Sequence, residues 1–181
     1  TRITVAILGL TIGLSARVRA QGAEPYTFRM LLGRDTLSSE VVQRSATGLD
    51  ADLIDKSTGA RWQYTMTLAP DGHVSTMGNA FFRLAQGDTV PFQRAELTFG
   101  SDSVTVTISG NVSRVERRPT VPGAVPYINP SFAMVEQAIR RARAMGGTMD
   151  TVPMFMVVGG QTVPAIIDRV GSDSVVIRIG A

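Results

Sequence analysis

The stretch NPSFAMVEQAIRRARAMGG (Asn129–Gly147) decides the fold, because it is the one convincing amphipathic helix in a chain that otherwise alternates like strands. Phe132, Val135, Ala138, Ile139, Ala142 and Met145 recur at three- and four-residue steps and form one apolar stripe, with Glu136, Arg140, Arg141 and Arg143 lying off it. Asn129 reads as the N-cap and Pro130 as the first helical residue. The arginines gather at the negative C-terminal end and Gly146-Gly147 stop the run, which predicts a helix over 130–145. A lone helix with one apolar stripe needs a sheet to lie on.

Working towards the N-terminus, turn residues punctuate the sequence every eight to twelve positions, with apolar and polar side chains alternating between them. Tyr26, Phe28, Met30 and Leu32 share one strand face, Gly33-Arg34-Asp35 turns, and Leu37 to Ser45 returns. The cleanest alternation sets Trp62, Tyr64, Met66 and Leu68 against Arg61, Gln63, Thr65 and Thr67. Pro70-Asp71-Gly72 predicts a turn, and Gly78-Asn79 predicts a bulge or bend in the strand that follows. Eight strands precede the helix. Pro119 to Pro130 carries four prolines, which cannot join a ladder and read as an extended crossing. Beyond the helix, Met145 to Val152 reads as a loop, and strands follow at Met154–Val158, Thr162–Arg169 and Ser174–Ile179. FGSDSVTVTI (99–108) and VGSDSVVIRI (170–179) repeat one hairpin signature. The expected fold is mainly β (α+β): about eleven strands in a curved antiparallel meander or half-open barrel packed on one α-helix.

The first twenty residues read differently. Arg2, an apolar run from Ile3 to Leu14 and small residues before Gln21 resemble a secretory signal peptide, giving an expected leader over 1–20 and a single β-rich domain over 21–181. The apolar run is shorter than the ~20 residues a membrane-spanning helix needs, so no stable membrane insertion is expected after cleavage. Removing 1–20 takes three arginines and leaves basic and acidic side chains in equal number, so net charge supports no nucleic-acid partner. The absence of cysteine excludes disulfides, thiolate metal sites and a cysteine nucleophile. A periplasmic or secreted location follows, with an ordinary apolar core supplying the stability. The chain ends on Ala181 directly after a strand, which reads as a piece of a longer frame.

Gly33-Arg34-Asp35-Thr36-Leu37, Glu40, Arg44-Ser45, Tyr64 with Leu68, and Asp71-Gly72 resemble a pattern found in secreted β-rich domains of Gram-negative bacteria, over about the first third of the chain. The plan of antiparallel strands with a late helix looks like the half-open barrel of periplasmic lipoprotein carriers. That likeness implies an apolar ligand, such as a lipid, held between helix and curved sheet.

Catalytic patterns are weak. His73 is the sole histidine, and no Gly-x-Ser-x-Gly elbow accompanies it. Asp50 and Asp52 share a strand face near Asp55, but the glycine and closing glutamate of a calcium loop are missing. No catalytic residue, metal or cofactor is assigned. The informative set is apolar: eight methionines and the only tryptophan. Thioethers pack adaptably in cores and in ligand cavities alike. The candidate ligand-binding residues are Trp62, Tyr64, Met66, Phe81, Phe132, Val135, Met154 and Met156. The expected function is a non-enzymatic exported envelope domain that binds an apolar ligand or an envelope protein. The alternative is an accessory domain of a secreted hydrolase whose catalytic part lies beyond Ala181.

Overall fold

The computed structural model describes residues 25–86, 90–171 and 174–180; the leader read over 1–20 lies outside them. Strands β1 (Tyr26–Leu32), β2 (Asp35–Arg44), β3 (Gly48–Asp55), β4 (Ala60–Leu68), β5 (Val74–Arg83), β6 (Gln93–Phe99), β7 (Ser103–Gly110) and β8 (Arg114–Pro119) pair in sequence order into one eight-stranded antiparallel sheet that does not close into a barrel. A short 3-10 turn, Leu84–Gln86, follows β5. The alternating pattern accounts for this arrangement, since a tight turn returns the chain beside the strand it has just left. Gly48 illustrates how close the backbones come: a Cβ there would lie 2.3 Å from the Met66 carbonyl oxygen, so only glycine fits.

The rest of the chain builds a second sheet. β9 (Val125–Tyr127), α1 (Phe132–Met145), β10 (Met149–Met156), β11 (Gln161–Arg169) and β12 (Val175–Ile179) follow, with strand order β12-β11-β10-β9. The β9–β10 pair is parallel and the other two are antiparallel, so α1 is the crossover that a parallel pair requires. The proline-rich segment therefore does join a ladder. Pro126 stands in β9, which pairs on one side only, and a missing N–H is tolerated at such an edge. This strand raises the number expected from the sequence by one, and β10 starts within the segment read as a loop. The repeated hairpin signature joins neighbouring antiparallel strands in both places, β6 to β7 and β11 to β12.

The bulge expected at Gly78-Asn79 is absent. Both residues pair in regular register with β4 and β6, and β4–β5 shifts at Leu68 instead. Partners on both sides keep this central strand in register despite the low strand propensity of Gly and Asn.

The helix also starts later and turns further than the stripe predicts. Ser131, after a cis Asn129–Pro130 bond, is the N-cap, its Oγ accepting from the Met134 N–H at 3.1 Å; Gly146, at φ 86°, is the left-handed C-cap. Ala133, Met134, Gln137, Ala138 and Ala142 are buried, while Met145 is 56% exposed. Val135 and Ile139 pack on the core's margin. The helix lies against β9, β10 and β11 on one side and β2 on the other, so its buried arc is wide and small alanines permit close approach. Arg141, read as part of the solvated face, lies over Gly123, where a Cβ would meet its guanidinium. One buried cluster joins Leu53, Met77, Leu97 and Val104 of the large sheet with Val152, Met154, Phe155 and Ile167 of the small one, Phe155 lying on the opposite face of β10 from Val152 and Met154. Phe99 meets Phe155 edge to face at 5.9 Å, and each large buried side chain contributes roughly 1.5–3 kcal/mol.

Candidate functional site

Two polar arrangements hold the helix. At its N-terminus the buried Glu40 carboxylate of β2 accepts from the Phe132 and Ala133 N–H groups at 2.7 and 2.9 Å and from the Tyr64 hydroxyl at 2.5 Å; the Tyr64 oxygen also lies 2.8 Å from Ser131 Oγ. A carboxylate suits this positive helix end and satisfies two N–H groups that have no partner within the helix. Burial, then the Glu40 charge and hydrogen bond, push the Tyr64 hydroxyl far above its ordinary pKa, so it stays a donor. At the opposite end Arg169 donates to the Ala142 carbonyl at 2.6 Å and pairs with Asp150 at 2.9 Å. Along the side, Glu136 accepts from Tyr26 at 2.5 Å and pairs with Arg140, while Arg44 donates to Gln137 at 2.8 Å. Burial alone would raise the Glu136 carboxyl, but the hydrogen bonds from Tyr26 and Arg140 and the charges of Arg44 and Arg140 outweigh it and hold it below the usual range.

The eight candidate ligand residues divide across this frame. Tyr64, Met66 and Met154 are packed inside the core, and Val135 and Met156 flank it. Phe132 packs against Phe28 near the helix N-terminus, ring centroids 5.8 Å apart and planes tilted by 35°. Trp62 and Phe81, a cross-strand pair with ring centroids 4.6 Å apart, instead line a cavity of about 330 Å³. Its floor includes Ala95, Val106 and Ile108 from the inner face of the large sheet, and the β10–β11 turn, Val157 to Gly160, forms the opposite wall. One side is β8, where Arg114, Glu116 and Arg118 oppose Ile108, Val106 and Val104 in register. Glu116 is ion-paired with both arginines, and Arg118 Nε donates to it at 2.8 Å. Asn79, between Met77 and Phe81 on the inward-facing parity of β5, also lines the cavity; it is 9% exposed and its Nδ2 has no hydrogen-bond partner among the described residues.

Sequence reasoning missed Asn79 because Gly78-Asn79 read as a bulge. It missed the β8 charges because the alternation of Arg114, Glu116 and Arg118 marks a face without saying which way it points. Register with Val104, Val106 and Ile108 was the available signal.

Two other hollows lie elsewhere on the molecule. A groove of about 520 Å³ crosses the outer face of the large sheet past Asp50, Asp52, Gln63, Arg94 and Glu96. Within it Asp52 is held by Arg61, whose hydrogen bonds lower the carboxyl pKa. Asp55 accepts from Ser57 and Thr58 in its own turn. The second, about 370 Å³, runs between the C-terminal half of α1 and the β4–β5 turn, where His73 pairs with Asp71 at 3.2 Å. The cavity beside Trp62 is the one lined by the paired rings of Trp62 and Phe81 together with aliphatic side chains, the apolar lining that ligand sites favour.

The fold thus defines a mainly β protein: among the described residues, an open eight-stranded antiparallel sheet faced by a four-stranded mixed sheet and one α-helix. No family model matches the chain, and no curated protein and no solved structure is significantly similar to it.

Proposed function

We propose that this is a non-enzymatic binding domain, exported to the periplasm or beyond, that takes a small apolar ligand between Trp62, Phe81 and the Val157–Gly160 turn. The observation that carries the reading is the aromatic-floored cavity of about 330 Å³, near the lower end of the ~300–1,000 Å³ range of ligand pockets. Its size suits one ring or a short acyl chain rather than a whole diacyl lipid. Export rests on the leader pattern over 1–20.

Trp62 is the only tryptophan, so its emission reports on this cavity alone. Titration with a brominated medium-chain alcohol, whose bromine quenches indole on contact, should give saturable quenching. Phe81→Ala should weaken that binding while the protein still unfolds cooperatively. Quenching that rises linearly without saturation overturns the reading.

A further inference from the structure

We infer that the ligand taken beside Trp62 is an amphiphile with an anionic head, of the kind a medium-chain carboxylate presents, its apolar tail on the aromatic pair and its head on the β8 wall. The inference rests on the binding function proposed above and specifies its ligand class. The cavity is apolar at one end and charged at the other. Trp62 and Phe81 come from β4 and β5, whereas the charges come from β8, three strand spacings beyond β5 in the sheet. At about 4.8 Å per spacing, the two ends lie roughly 14 Å apart along the sheet. Ala95 and Ile108, paired in register with each other and Ile108 with Arg114, give an apolar path between them.

Arg114, Glu116 and Arg118 are the charged side chains lining the cavity among the described residues, and two guanidinium groups against one carboxylate leave a net positive wall. Glu116 pairs with Arg114 through Nε and with Arg118 through Nε and Nη2, and neither Nη group of Arg114 donates to a described residue. The wall thus keeps guanidinium donors for an incoming anion. The Arg114 and Arg118 side chains are 52% and 45% exposed, so a head group placed on them stays partly hydrated and escapes the full penalty of burying a carboxylate in an apolar pocket. The same exposure holds the gain to the modest scale of a solvated ion pair.

The test titrates the whole protein with ω-bromooctanoate and ω-bromooctanol, which share a chain and a bromine and differ in the head, and follows quenching of Trp62. Burial alone ranks the neutral alcohol first, since a carboxylate has more hydration to lose. The carboxylate should nevertheless bind about threefold more tightly at low ionic strength, and the preference should fade as salt screens the wall. Arg114→Gln, which keeps Arg118 against the Gly160 turn, should abolish the preference, and Glu116→Gln should widen it. Arg117→Gln removes the same charge from the opposite face of β8, where Arg117 pairs with Asp102, and should change the ratio little. Equal affinities, or a preference for the alcohol, in the unsubstituted protein overturn the anionic-head inference and leave the apolar-ligand reading standing. A preference that Arg117→Gln lowers as much as Arg114→Gln does, or that Glu116→Gln leaves unchanged, overturns the assignment to the cavity wall. If neither probe quenches saturably, both readings fall. The comparison of probes on the unsubstituted protein needs no variant to fold.

Discussion

Tyr64 and Trp62 stand two residues apart on one face of β4, opposite Asn79 and Phe81 of β5, and yet they occupy contrasting surroundings. Around Tyr64 the hydroxyl, the Glu40 carboxylate, Ser131 and the first helical N–H groups satisfy one another without access to water. Around Trp62 there is open volume, and the neighbouring Asn79 Nδ2 has no partner among the described residues. The two ends share one alternating pattern. The covering element makes the difference: α1 lies over the first, and only a hairpin turn stands across from the second. Alternation selects which face points inward; it does not settle whether that face meets a solid neighbour.

The contrast can be broken most severely at the sealed end. Glu40→Ala leaves two helix N–H groups and the Tyr64 hydroxyl without their acceptor, and should cost about 3–5 kcal/mol in urea unfolding. A loss under ~1 kcal/mol would mean that the helix is not anchored there. Tyr64→Phe removes a single hydroxyl from the cluster and should cost about 1–3 kcal/mol.

Adding volume sharpens the comparison. Ala138→Leu, under the helix, forces extra methylene groups into filled space and should cost roughly 1–3 kcal/mol. Ala95→Leu, on the cavity floor, has room to grow and should shift the unfolding midpoint by ~0.5 kcal/mol or less, while weakening probe binding at Trp62. Equal losses in the two variants would show that the two ends are packed alike.

The smallest effect is in acid. The Glu136 pKa is lower in the folded protein than in the unfolded chain, so its contribution is fully present above the unfolded value near 4.5 and is lost as pH falls through the depressed folded value. Glu136→Gln should therefore flatten the acid limb of a stability-against-pH curve. An unchanged acid limb would remove Glu136 from the helix's side anchor.

Much of the architecture was legible because hairpin meanders are written locally. Alternation and turn residues placed all eight strands of the large sheet, and the helix with its glycine stop was plain. What escaped depended on partners distant in sequence. The edge strand β9 hides in a proline-rich segment and exists only because β10 lies beside it. The helix is buried over a wider arc than its apolar stripe because it touches two sheets, and Arg141 was misplaced with it. At the site, Trp62 and Phe81 stood out as aromatics on clean strands, whereas Asn79 acquires meaning only from its failure to find a partner. The inward-facing row of β2, Ser38, Glu40, Val42 and Arg44, is mostly polar where a core face is usually apolar, and that was the one local trace of the helix anchor.

The Glu40 anchor also bears on the order in which the chain assembles. Every ladder of the large sheet joins neighbours in sequence and can grow hairpin by hairpin, whereas Glu40 meets Phe132 and Ala133 across 92 and 93 positions. Contacts that close so long a loop carry their entropy cost before any return, so the expected order is hairpins first and helix docking last. Replacing Glu40 should then leave the refolding rate nearly unchanged and speed unfolding, so that one carboxylate governs how long the folded molecule persists rather than how fast it forms.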